Sequence, residues 1–313
     1  MNDLSNNLKE TANCYIISEQ GNYEFPLVYG CGIFNGKENP RSYAGDNFFD
    51  YKGEIINTPE INYKIKDVKI ISWDSDPEII KNITIKENYI KFSITKIPEG
   101  GANYIIAIFD DQDTIIWSWH LWLWSDDLKD VRIGNYTFLN IPLASRLEDE
   151  KLNIGYYQWG RKDPILDNIS KIEKRSSNTM EAIQNPDVLY YNAGSTWSWI
   201  DSSNYWGKEK TIYDPCPAGY KVPGKESLVN IIESYKKDSI KGEIKFNNDL
   251  LIPFSGIKYS DGIFYKNKGG VFWSYDEGQC GSADALYIQK CIAITQYSKT
   301  EAVGIIPQKI YND

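Results

Sequence analysis

The chain has 313 residues, above the usual single-domain size and long enough for two domains. Its composition is 42% hydrophobic, 25% charged and 14% aromatic, which supplies apolar material for folded cores and excludes the profile of a disordered chain. A formal net charge of -9 opposes contact with nucleic acid or anionic lipid, because both need clustered Lys and Arg.

Met1 to Ser5 has neither a basic n-region nor an apolar h-region, which leaves open an intracellular chain or a removed leader. Thr11 to Ser18 reads as a strand, and Gly21-Asn22 turns into a second one at Tyr23 to Val28. Lys69 to Trp73, Ile79 to Ile85, Tyr89 to Ile94 and Tyr104 to Phe109 are β-branched or aromatic runs separated by Asp76-Pro77, Glu87-Asn88 and Gly100-Gly101. Asp110 to Asp113 forms the tip of a hairpin into Thr114 to Trp119. Such spacing without helical period predicts an antiparallel β-sandwich over residues 11–127. No apolar run approaches the roughly eighteen residues of a membrane-spanning helix.

From Val131 onward turns lengthen and aromatics concentrate, marking a second, α+β domain over 131–313 within a mainly β protein. In Gly224 to Asp238, Leu228, Ile231, Ile232 and Tyr235 share one face at helical spacing, so a helix is expected to pack on a sheet. Leu250 to Phe254, Gly262 to Tyr265, Gly270 to Ser274, Ala285 to Ile288 and Ile292 to Ile294 read as the strands around it.

The chain has five cysteines, Cys14, Cys31, Cys216, Cys280 and Cys291, an odd number without zinc-site spacing. The lone histidine, His120, lies in the indole-rich run Trp117 to Trp124 and reads as part of a strand with its aromatics packed inward, since no nucleophile elbow accompanies it. Asp110, Asp111 and Asp113, and Asp126 with Asp127, read as solvated turns rather than carboxylates straddling a substrate. Ser195 to Gly207 mixes indoles and a phenol with small polar residues, as sugar faces and peptide anchors favour. Within it Trp197 and Trp199 read as one face of a buried strand, while Tyr205 and Trp206, after a polar turn, are expected to be exposed.

Several stretches, in order, resemble a family of Bacteroidales surface proteins, fimbrial tip-type subunits among them. These carry a C-type-lectin-like domain related to the Fibrobacter succinogenes major paralogous domain. The carriers are Thr11 to Ile17 (TANCYII) with Tyr23-Glu24-Phe25-Pro26, Ile115 to Trp122 (IIWSWHLW), Tyr156 to Pro164 (YYQWGRKDP), Thr211 to Pro223 (TIYDPCPAGYKVP) and Phe272-Trp273-Ser274. The tail Ala302 to Tyr311 lacks the cysteine that many relatives offer to the Cys-Pro turn, so Cys216 loses that partner and Cys280 or Cys291 are its alternatives. The calcium-binding EPN and WND triplets of sugar-binding relatives are also missing.

The resemblance implies a non-enzymatic binding or adhesion protein, at the cell surface or secreted, that recognises a glycan or protein ligand without metal or cofactor. The alternatives are an assembly subunit among pilus-type subunits and an enzyme on a formylglycine-generating-oxidase-like core. By the same resemblance Tyr259, Asp261, Asp276 and Glu277 lie in the ligand-holding loop region, and they are expected to face Asp201, Asn204, Tyr205 and Trp206 across a shallow cleft.

Overall fold

Along the first part of the chain run β1 (Asn2–Asp3), β2 (Cys14–Ile17), β3 (Gly21–Pro26), β4 (Asp67–Trp73), β5 (Ile80–Lys86), β6 (Tyr89–Ile94), β7 (Ala102–Phe109) and β8 (Ile115–Leu123). The structure is a computed structural model and describes residues 1–166, 171–192, 196–198, 204–234, 239–240, 243–246 and 249–310. Two four-stranded sheets form, in the orders β1-β3-β6-β5 and β2-β8-β7-β4. Pairing is not purely antiparallel as expected: β1 runs parallel to β3 and β2 parallel to β8. His120 pairs with Cys14, so no hairpin turn joins these strands and none dictates an antiparallel approach.

Strand β6 shows one-sided burial, with Ile90, Phe92 and Ile94 inside and Tyr89, Lys91 and Ser93 half-buried between them. β7 and β8 differ, because every residue in both is buried. Trp117, Trp119 and Leu121 enter the core between the two sheets together with Phe25, Phe92 and Ile106. The intervening Ser118, His120 and Trp122 make polar contacts instead. His120 Nε2 bonds Asn103 Oδ1 at 2.9 Å, and Trp122 Nε1 donates to Ser145 O at 2.9 Å. Burial drives the imidazole down to about 3, so His120 is a neutral interior side chain, as its sequence context suggested.

Ser118 is held by an ion pair from the second part of the chain. Lys162 Nζ donates to Ser118 O (2.8 Å), Ser118 Oγ (2.6 Å) and Asp163 Oδ2 (2.7 Å), while Ser118 Oγ donates to Asp163 Oδ1 (2.9 Å). Both charged side chains are about 3% exposed, and the ammonium lies 4.4 Å from the centre of the Trp117 ring. Burial pulls the Lys162 ammonium down to about 8, against the support of neighbouring Asp163. Asn13 adds a second link, donating to Ile212 O at 2.6 Å and Asp214 O at 2.9 Å.

The second part contains α1 (Thr179–Gln184), α2 (Lys225–Glu233), β9 (Ile257–Tyr259), β10 (Gly262–Phe264), β11 (Gly270–Glu277), β12 (Ser282–Ile288), β13 (Ile292–Ser298) and β14 (Ala302–Val303). β11, β12 and β13 make one antiparallel sheet; Tyr157–Gln158, β14, β9 and β10 make another. Leu228 and Ile231 of α2 share a core with Leu286 and Ile288 of β12. The helix is shorter than the expected Gly224 to Asp238: Gly224 is its N-cap, Ser234 its C-cap, and 235–238 lie outside the described residues. The unexpected α1 starts where the Asn178 side chain accepts from Glu181 N at 2.8 Å.

Segment 205–213 runs between two cores. Tyr205, Ile212 and Tyr213 enter the core of the first part, whereas Trp206 joins Trp159, Cys216 and Trp273 in another that also receives Cys14, Trp122 and Trp124. The two parts of the chain therefore complete each other's interiors.

The buried ion pair gives the first testable consequence. Lys162→Met strands the Asp163 carboxylate and should lower stability by roughly 3–5 kcal/mol. Adding Asp163→Asn should recover more than half of that loss; urea unfolding midpoints of the single and double variants check both statements.

Candidate functional site

Short antiparallel pairings assemble an aromatic face. Lys258 of β9 pairs with Ala302 of β14, which sets Tyr259 opposite Glu301 across the strands. The two side chains are hydrogen bonded. The β9-β10 hairpin turns at Gly262, whose φ of 137° suits glycine, and returns Phe264 edge-on to Tyr259 with ring centres 5.2 Å apart. Tyr265 follows at φ 61° and is 53% exposed.

A second wall comes from β12 and β13. Their register pairs Tyr287 with Ala293, Ala285 with Thr295 and Ala283 with Tyr297. Cross-strand partners share a face, and the alternate pairs Leu286-Ile294 and Ile288-Ile292 belong to the core against α2. Tyr287 and Tyr297 therefore project from the face away from the helix, half-buried against the core that holds Trp273, Ala283 and Ala285.

Tyr259 and Tyr297 lie within electrostatic reach of Glu301, and Tyr265 and Tyr287 within reach of these tyrosines. Burial first, then Tyr287, Glu301, Tyr259 and Tyr265, raises the Tyr297 hydroxyl; burial first, then Glu301 and Tyr265, raises that of Tyr259. Burial also pushes the Glu301 carboxyl from 4.5 up to about 7, opposed by the hydrogen bond from Tyr259. Glu301 Oε2 is shielded from solvent and has no hydrogen-bond partner.

The expected cleft is not formed by its exposed rings. Tyr205 and Trp206 are each 1% exposed, correcting the expectation that a polar turn leads them to the surface. The chain bends at 204–206, and the two rings leave that bend into different cores. Tyr205 packs 4.8 Å from Tyr213 and bonds Thr179 Oγ1; Trp206 donates to Tyr213 O at 3.1 Å and packs 5.6 Å from Trp159. Asn204 is exposed at φ 71°, and Asp201 lies outside the described residues. Asp276 is engaged at the start of α2, accepting from Lys225 N at 2.6 Å and Ser274 Oγ at 2.8 Å. Glu277 pairs with Lys299 at 2.8 Å, and that ammonium sits 4.1 Å from the centre of the Trp159 ring. Trp206 and Glu277 are thus linked through Trp159 and Lys299, along the interior rather than across a cleft.

Of the expected residues, Tyr259 belongs to the aromatic face and exposed Asp261 to its bordering turn. Tyr265, Tyr287, Tyr297 and Glu301 went unpredicted. The alternation Ala285-x-Tyr287 and Ala293-x-Thr295-x-Tyr297 was a legible signal for two of them, whereas no local pattern marks Glu301.

The five cysteines are free thiols. Cys216 is fully buried while Cys280 and Cys291 are exposed beside the turns at the two ends of β12, so neither replaces the missing partner of Cys216. Another hollow, of about 350 Å³, is lined by Asp50, Glu54 and Tyr63, but the Asp50 carboxylate already accepts from Lys52 N, Glu54 N and the Tyr63 hydroxyl. Among the described residues no group of three or more His, Cys, Asp or Glu side chains is arranged to hold a metal ion, and no helix is long and apolar enough to cross a membrane. No family model, curated protein or solved structure matches this chain.

Two measurements follow. Trp206→Ala should cost roughly 3–5 kcal/mol in chemical unfolding, the range for deleting a buried large aromatic side chain. For Glu301, the folded protein keeps its proton up to about pH 7 whereas the unfolded chain releases it near 4.5. Its contribution to stability is complete below about 4.5 and is lost as the pH rises through 7. Melting curves between these values should show the wild type losing stability relative to Glu301→Gln as the pH increases; parallel curves would refute this assignment.

Proposed function

We propose that this chain is a non-enzymatic binding protein of the cell surface or secreted space, with a C-type-lectin-like second domain that presents the Glu301 tyrosine face to a glycan or protein ligand. The observation carrying this reading is the face itself. Tyr259 and Tyr297 flank one carboxyl, with Tyr265 and Tyr287 beside them, at the half-buried margin of the second core, where Phe264 and Tyr265 are among the exposed large apolar side chains. Tyrosines combine flat apolar area with a polar tip and lose little conformational freedom on binding, which suits recognition of sugar rings or peptide side chains. Support for a second domain, although its core is shared with the first part, comes from Tyr136–Leu139 pairing with Gln308–Lys309, which ties the start of this part to its end. Neutral, fully buried His120 also favours a binding role over histidine-dependent catalysis.

A second reading, assembly into a pilus-like polymer, draws on β13 lying at the end of its sheet, where a neighbour's strand can add. Co-purification of a partner chain, in the absence of any small or glycan ligand, would select it.

The leading reading is tested on glycan and peptide arrays. Tyr265→Ala and Tyr297→Ala should each weaken the strongest array ligand by roughly 1–3 kcal/mol, the range for losing an aromatic anchor. Tyr265→Ala should leave the melting temperature within about two degrees, since that ring is already exposed. A silent array at high protein concentration, or binding unaffected by both substitutions, would overturn the proposal.

A further inference from the structure

Among the described residues, two carboxylate oxygens are shielded from solvent without a hydrogen bond, Glu24 Oε2 and Glu301 Oε2. The first has a countercharge, Lys91 Nζ at 2.6 Å. The second has none. The lysines nearest in sequence to the Tyr259-Glu301 pair are committed elsewhere: Lys258 donates to Leu166 O and lies over Tyr156, and Lys299 lies over Trp159 while pairing with Glu277. Alternation carries the Lys258 ammonium to the face opposite Tyr259, and Lys299, in the turn after β13, is held away from Glu301 by Glu277 and the Trp159 ring.

What surrounds the carboxyl is a set of tyrosine rings. A carboxylate attracts a cation, and aromatic faces favour one through their quadrupoles, most strongly where water is excluded. We propose that the tyrosine face takes up an alkylammonium or guanidinium group, presented by a basic side chain of a protein ligand, with Glu301 as its counterion. This rests on the face being the ligand site. A side chain is favoured over an amino sugar by depth: Oε2 is sealed within the face, so the cation must arrive on a slender stem such as that of lysine, whereas an amine attached directly to a sugar ring is held back by the ring. Entry requires one ring to move aside, and Tyr265, 53% exposed and just beyond a short hairpin, is placed to do so. The net charge of -9 adds long-range attraction for a basic partner.

Charge balance gives the interaction a pH signature. Without a cation the carboxyl holds its proton up to about pH 7, and cation binding expels that proton to the buffer. The other titratable side chains of the face are the hydroxyls of Tyr191, Tyr259, Tyr265, Tyr287 and Tyr297 and, beside Tyr287, the Cys291 thiol; burial keeps Tyr259 and Tyr297 protonated. Apparent affinity should therefore be roughly twentyfold weaker at pH 5.5 than at pH 7.5, following the fraction of ionised Glu301.

The probes are N-acetyl-lysine methylamide, its neutral analogue N-acetyl-norleucine methylamide, and glucosamine, titrated into the full chain by NMR and calorimetry. The lysine probe is expected to shift the tyrosine ring signals and to release a proton, with little response to the other two. Glu301→Gln should lose at least tenfold in affinity for the lysine probe while its melting temperature is unchanged or raised, and Tyr265→Ala should alter that affinity without affecting the fold. Equal binding of lysine and norleucine probes, or binding indifferent to Glu301→Gln, would overturn the cation assignment and leave the face standing as a ligand site. Preference for glucosamine would replace the basic side chain by an amino sugar. Failure of all three probes, with an array ligand still sensitive to Tyr297→Ala, would sink the cation assignment alone; a silent array as well would remove both.

Discussion

Strand β8 has no side turned to water, and much of the architecture follows from that constraint. Trp117, Trp119 and Leu121 fill the interior between the two N-terminal sheets, while Ser118 is gripped by Lys162 and Asp163 from the other part of the chain. Trp119 Nε1 and His120 Nδ1 of this strand are buried without a hydrogen-bond partner, but a charged pair is tolerable there only when its remaining donors and acceptors are used. Here they are: the ammonium reaches two oxygens of Ser118 and the Asp163 carboxylate, and its face toward Trp117 gains from the indole π system. The pair fixes register and orientation more than it adds stability, since apolar residues of similar volume would cost less to bury.

The same constraint explains where the largest aromatic side chains went. Two parts that share a buried seam need volume on both sides of it, and segment 205–213 supplies it by sending Tyr205 one way and Trp206 the other. Asn13 ties this segment to the second strand by bonding Ile212 O and Asp214 O. Aromatics that look like ligand anchors in a polar stretch of sequence are thus consumed as structural filling.

Strand existence was legible because it rests on local alternation: Tyr89 to Ile94 is found residue for residue, and the runs at Tyr104 and Ile115 appear with added residues at their ends. The sidedness of Tyr205 and Trp206 was not legible, since a polar turn followed by two rings has the same composition whether it meets solvent or a second core. Asp276 and Glu277 were expected in a ligand-holding loop, yet they end strand β11, where one is engaged at the start of α2 and the other pairs with Lys299. Glu301 carries no motif at all. Its unusual chemistry arises from the cross-strand pairing that places it against Tyr259, a property of the register and not of the residues beside it.

The tyrosine face is rigid where rigidity matters. Tyr287 and Tyr297 stand on paired strands of a sheet backed by α2, and Tyr259 is held by both its hairpin and Glu301. On the proposed reading such fixed rings would forfeit little entropy when a ligand binds, and their contact area would convert into affinity with small losses. Beneath the sheet edge, Lys299 bridges Glu277 and Trp159, and Trp159 abuts Trp206 at the seam between the two parts of the chain. Glu277 and Trp206 therefore serve the face indirectly: the carboxylate directly and the indole through Trp159 hold the Lys299 ammonium, two residues before Glu301, in an ion pair of its own.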